Sequence, residues 1–172
     1  MEKGYPVQKR RRGRPRKPRS PQQFNPDVLR GTVQEIRKMT KEYSNGDLFF
    51  DVQYIEKKRP RLLKNAGIST TDCDGMWKVH YDQERVIMLP EKDQKLIHRY
   101  VSSKENIRFL EQTVDSISDE KIRNFASDVL LDGNNILDLV DKYGVSSRTL
   151  WRWKKEILEN TARKYLTIAR PF

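Results

Sequence analysis

The chain has 172 residues, 35% hydrophobic and 34% charged, enough for one or two small domains with a modest core and a heavily ionised surface. Its net charge of +11 points to a polyanionic partner, nucleic acid or an anionic membrane surface. A single cysteine, Cys73, excludes an internal disulfide and a cysteine-based zinc finger, and His80 and His98 alone leave almost no ligands for a histidine metal site.

The charge is uneven. Residues 1–20 carry nine Lys/Arg against Glu2, a net +8, so the remaining 152 residues share only +3. No apolar run approaches the roughly 18 residues that span a bilayer. The basic N-terminus is followed by no apolar segment, so it does not read as a secretory signal. The expectation is a reducing, cytoplasmic compartment with no membrane partner, no metal and no cofactor.

Residues 1–24 read as a disordered basic arm, with Pro6, Pro15, Pro18 and Pro21 and almost nothing to bury. Asn25-Pro26-Asp27 is a helix start, Asn as N-cap and Pro at the first helical position. Leu29, Val33, Ile36, Met39 or Thr40, and Tyr43 follow at helical spacing until Asn45-Gly46, which predicts a helix over 26–44. Asp47 can cap a second helix in which Leu48, Phe49, Val52 and Ile55 share a face; a strand is the rival reading of LFFDVQY. Pro60 ends that segment, and 61–66 is a further helical turn. The region 25–66 is thus an N-terminal helical region whose aromatic run needs a partner surface, in a second copy of the chain or in RNA polymerase.

Residues 67–90 are read as a loop or linker, and 91–172 as a helical DNA-binding domain. Leu96, Tyr100, Ile107, Leu110, Val114 and Ile117 step by 4, 7, 3, 4 and 3, keeping one apolar stripe that Ser102-Ser103 weakens in the middle. Ser118, followed by Asp119 and Glu120, reads as a new N-cap, and Ile122, Phe125, Ala126, Val129 and Leu130 form the next buried face up to Asp132-Gly133. The predicted fold is mainly α, a helical bundle ending in a C-terminal helix-turn-helix.

That motif occupies about 134–163. NNILDLVDKYG is a short amphipathic helix with Ile136, Leu139 and Val140 inward, and Gly144 supplies the left-handed turn. Val145 drops into the core and Ser146 caps a second helix, in which Leu150, Trp153 and Ile157 lie on one face. The opposite face offers Ser147, Arg148, Trp151, Arg152 and Lys155, the donors a recognition helix presents to base edges and phosphates. Arg148 and Arg152 stand one turn apart, and a guanidinium can bond guanine through two donors. Thr149 and Ser147 can reach a phosphate or a thymine methyl, and Trp151 a sugar or base methyl. An ordinary helical hairpin with a solvated basic face is the plain alternative.

YGVSSRTLWRWKKEIL resembles the helix-turn-helix of sigma-factor region 4 and of homeodomain-like transposase and phage regulator proteins. From about Asp93 to Leu166 the chain resembles the C-terminal half of RinA/ArpU-type phage transcriptional regulators: a long helix, a short helix, then a terminal helix-turn-helix. The resemblance covers somewhat under half the chain. It implies an activator of phage late genes acting on double-stranded DNA in the bacterial cytoplasm. A basic arm is not part of that family pattern.

In the arm, KRRRGRPRKPR comprises Lys9, Arg10, Arg11, Arg12, Gly13, Arg14, Pro15, Arg16, Lys17, Pro18 and Arg19. Its centre resembles an AT-hook, a Gly-Arg-Pro core flanked by basic residues, in which Arg12 and Arg14 enter an A·T-rich minor groove and their neighbours meet phosphates. A nonspecific electrostatic tether and a nuclear-localisation signal are the other readings. Neutralising about 5–8 phosphates gives a slope of log K against log salt near −5 to −7.

No catalytic constellation assembles, and the chain is not expected to be an enzyme. Asp72, Cys73, Asp74 and His80 lack a second cysteine and any glycine-rich phosphate loop. Asp27, Glu35 and Glu42, and Glu105, Glu111 and Asp115, read as exposed helix faces. A small terminase-like DNA-packaging protein that assembles into rings is the alternative function; its DNA-binding motif usually lies near the N-terminus.

Overall fold

The structure is a computed structural model that describes residues 24–68 and 77–169; among these it contains eight helices and no strand, a mainly α fold. The arm residues 9–19, and Asp72, Cys73 and Asp74, lie outside the described residues.

Helix α1 (Pro26–Ser44) starts as its sequence dictates: Asn25 Oδ1 accepts the Asp27 amide at 2.9 Å, and Pro26 costs no hydrogen bond at the first position. Thr32, Ile36 and Met39 are buried, with Leu29, Val33 and Tyr43 half-buried along the same stripe. Residues 47–58 are helix α2 (Asp47–Lys58), not a strand, because Leu48, Val52 and Ile55 meet the core at helical spacing. Asp47 does not cap it. Gly46 occupies the cap position, and Asp47 lies in the first turn, at the positive end of the helix dipole.

Helix α3 (Pro60–Asn65) buries Leu62 and Leu63. The stretch read as loop contains a short helix, α4 (Gln83–Ile87), capped by Asp82 Oδ1 from the Arg85 amide at 3.1 Å and pinned by buried Val86. Helix α5 (Glu91–Asp115) then runs 25 residues without a break, about 37 Å at 1.5 Å per residue. The serine pair does not weaken it: Ser102 points to solvent, and buried Ser103 donates to Asp51 Oδ2 at 3.3 Å.

Two apolar cores share α5. Ile97, Tyr100 and Val101 in its first half pack with Ile55, Leu62, Leu63 and Val86, from α2, α3 and α4. Phe109, Leu110 and Val114 in its second half pack with Ile36 and Met39 of α1 and with the C-terminal helices α6 (Glu120–Leu130), α7 (Leu139–Tyr143) and α8 (Ser147–Ala169). The α2–α5 seam is lined by paired charges: Arg99 with Asp51 at 2.6 Å, and Lys104 with Glu56 at 2.9 Å, which also accepts from the Tyr100 hydroxyl. Arg59 reaches Asp93 at 2.7 Å. The segments on either side of 67–90 therefore meet in both cores, and α1 is as much a part of the C-terminal bundle as α6. This differs from a division into 25–66 and 91–172, because the apolar stripe of α1 finds its partner in α8.

Two carboxylates read as solvated have partners. Glu111 accepts from the Tyr43 hydroxyl at 2.9 Å, and Glu105 from the Val79 amide at 2.9 Å, which holds the returning loop against α5. Trp77, in that loop, packs edge-on to Phe109 with ring centroids 6.0 Å apart.

Candidate nucleic-acid interface

The C-terminal motif is built from α6, α7 and α8. Asp119, not Ser118, caps α6: its Oδ1 accepts the Ile122 amide at 2.9 Å. The two residues are equally suited by type, but only Asp119 stands three positions before that orphan amide. Phe125, Ala126, Val129 and Leu130 are buried, and Ile122 is half-buried.

The segment after α6 is less helical than its periodicity predicts. The amides of Asp138, Leu139 and Val140 each bond three residues back, to Asn135, Ile136 and Leu137. This tight turn precedes the five residues of α7. Ile136 and Leu139 are buried as expected, while Val140 and Val145 are half-buried.

Asp128 explains how so short a helix is held. Its carboxylate, 5% exposed, accepts from Lys142 Nζ at 2.7 and 2.8 Å, from the Tyr143 hydroxyl, and from Asn134 Nδ2 at 3.3 Å. Its carbonyl takes the Asn134 amide at 2.8 Å. One buried acid thus ties α6 to both ends of the following hairpin. Burial and the hydrogen bond to that carboxylate push the Tyr143 hydroxyl well above the usual tyrosine range. The sequence pattern did not single out Asp128; an acid in an otherwise apolar VLL-flanked face is the signal it offered.

Gly144 ends α7 with φ +63°, the left-handed turn its position requires. Ser146 then caps α8, its Oγ 3.3 Å from the Thr149 amide and 3.1 Å from Thr149 Oγ1. Thr149 is thus occupied with the cap and is half-buried, and Ser147 is also half-buried. Leu150 is fully buried, Ile157 nearly so, and Trp153 meets Phe125 edge-on at 5.5 Å.

On the opposite face Arg148 and Arg152 stand exposed one turn apart, and neither forms an ion pair among the described residues. Trp151 is 54% exposed, with Lys154 Nζ 5.5 Å from its ring centroid. Lys155 is exposed and reaches Glu159 only at 4.0 Å. The rear of α8 is anchored by Ile157, Leu158, Ala162 and Leu166, so the first two turns are presented on a stiff, buried stem.

Sequence reasoning did not foresee the neighbour of this face. Helix α1 lies antiparallel along α8: Thr40, Lys41 and Ser44 share a groove with Trp151 and Lys154, while Pro26, Leu29 and Val33 share one with Leu158 and Glu159. This places Arg30, Arg37 and Lys41 beside the α8 cations. Their i, i+7, i+11 spacing was the available signal.

Among the described residues no group of three or more His, Cys, Asp or Glu gathers as a metal site. His80 is exposed, and His98 lies edge-on to Tyr81 at 6.2 Å. No helix among the described residues is long and apolar enough to cross a membrane. No family model matches the chain, and neither the curated proteins nor the solved structures contain a match to it.

Proposed function

We propose that this protein binds double-stranded DNA sequence-specifically, laying the first turns of α8 in the major groove. One observation carries the reading: Arg148 and Arg152 project from the face of α8 opposite its buried stripe, exposed and without acidic partners. Elsewhere, cations at helix junctions find carboxylates, as Arg59, Arg99, Lys104 and Lys142 do. Two guanidinium groups one turn apart match donors needed at adjacent base edges. The short α7, the glycine turn and the serine cap support reading α8 as a recognition helix.

A phage or bacterial transcription regulator is the role proposed, supported by the C-terminal place of the motif and by the long-helix, short-helix, helix-turn-helix order. The arm over 9–19 adds phosphate contacts that strengthen binding to any sequence. Selection of bound fragments from a random DNA pool tests the reading. Wild type is expected to enrich a motif, Arg148→Ala/Arg152→Ala to lose it, and a chain lacking residues 1–20 to keep it at lower affinity. No enrichment with wild type overturns specific recognition, and unchanged enrichment in the double variant overturns the role of α8. A many-membered ring in native mass spectrometry would favour a terminase-like packaging role instead.

A further inference from the structure

The groove between α1 and the front of α8 has a volume of about 390 Å³ and is open to solvent. Arg37, Thr40 and Lys41 form one wall; Trp151, Lys154 and Lys155 form the other. Four cations face this space and no carboxylate lines it. The contrast with the α2–α5 seam is direct, since Arg99 and Lys104 there are each matched by an acid from the other helix. Cations from α1 and α8 that repel one another across a groove raise the energy of the empty protein, and an anion between them lowers it. Lys154 registers the cost: burial, and then the charge of Arg37, push its ammonium below the usual lysine range. Arg37 and Lys41 themselves are exposed and form no ion pair among the described residues.

We infer that this groove binds phosphate groups of the DNA backbone, with Arg37 and Lys41 of α1 and Lys154 of α8 as the contacts, beside the bases met by Arg148 and Arg152. The inference rests on the DNA-binding reading and deepens it. Trp151 and Lys154 fall within one turn of Arg152, so a strand entering alongside α8 passes the mouth of the groove. Helix α1 is then a second element of the interface: it fixes the protein's register on the duplex and carries no sequence information.

The test is the salt dependence of DNA binding by the full chain. Each phosphate contact contributes about 0.9 to the slope of log K against log salt, so Arg37→Ala/Lys41→Ala should flatten it by about 1.8. Between 50 and 200 mM salt the variant should therefore lose about tenfold less affinity than wild type, equally on selected and unselected sequences. The selected motif should stay unchanged. Lys57→Ala/Lys58→Ala removes the same charge from an exposed end of α2 and should leave the slope as it is. Both α1 residues are exposed, and a wild-type circular dichroism melt is the check that the variant folds.

An unchanged slope in the α1 variant, with wild type still binding its motif, overturns the groove and leaves the DNA-binding reading standing. An equal flattening in the α2 variant overturns it too, by showing only long-range charge. Absence of any DNA binding by wild type overturns both. Inorganic phosphate added at constant ionic strength without DNA separates the remaining source of the anion. A saturable change in tryptophan fluorescence, lost in Arg37→Ala, together with a salt slope that Arg37→Ala/Lys41→Ala leaves unchanged, would make the groove a free-anion pocket and not a backbone contact.

Discussion

Tyr143 and Asp128 hold each other in place between α6 and α7. The hydroxyl donates to a carboxylate that is buried and already holds Lys142, so neither group can turn to water without leaving the other short. Tyr143→Phe should cost about 1 kcal/mol at neutral pH, read as a lowered midpoint in denaturant. The pH dependence has a fixed sign. Because folding raises the pKa of Tyr143, its contribution is full below the unfolded tyrosine value of about 10 and is lost as pH rises through the folded value. Stability measured against pH should therefore fall above about pH 10, and the gap between wild type and Tyr143→Phe should close there. Tyr43, Tyr100 and Tyr165 are pushed the same way, by burial first, so the phenylalanine variant retains most of the alkaline loss.

At the scale of elements, the turn between α7 and α8 is governed by one backbone angle. A Cβ on Gly144 would meet nothing within 4 Å, so the cost of Gly144→Ala is the strain of φ +63° alone. That strain is about 1–2 kcal/mol, and it should appear as a lower melting temperature. Gly144, the Ser146 cap, the limits of α1 and the inward set Ile136, Leu139, Leu150 and Ile157 were legible in the sequence because each rests on local chemistry or periodicity. So was the outward pair Arg148 and Arg152, which follows from the same wheel. What was not legible is non-local. The tight turn before α7 depends on the Asn134 amide returning to Asp128, the choice of Asp119 over Ser118 on one hydrogen bond, and α4 on a loop folding back to bury Val86. The docking of α1 on α8 joins residues more than a hundred positions apart, and an apolar stripe on α1 says only that some partner exists.

The whole molecule is coupled at the end of α1. Gly133, in the turn after α6, has φ +68°, and a Cβ there would stand 2.8 Å from Ser44 Cβ and Oγ. Gly133→Ala therefore adds a collision with α1 to the backbone strain and should destabilise more than Gly144→Ala, by about 1–3 kcal/mol. Ser44→Gly in the same chain should recover part of that difference, because the obstructing side chain is gone. Recovery of nothing would mean that α1 does not abut the helix-turn-helix. In the DNA-binding reading, a motif kept by Gly133→Ala with a flatter salt slope would mark displacement of α1 alone.

Helix α5 runs through both cores, and Phe109 packs edge-on to Tyr165 of α8 at 5.2 Å, so the core formed with α2, α3 and α4 cannot swivel about the C-terminal bundle without breaking packed rings. In the DNA-binding reading proposed above, this rigidity becomes a matter of phasing. Whatever the distant core carries is delivered to one side of the duplex. Moving the site by about five base pairs, half a helical turn, carries it to the other.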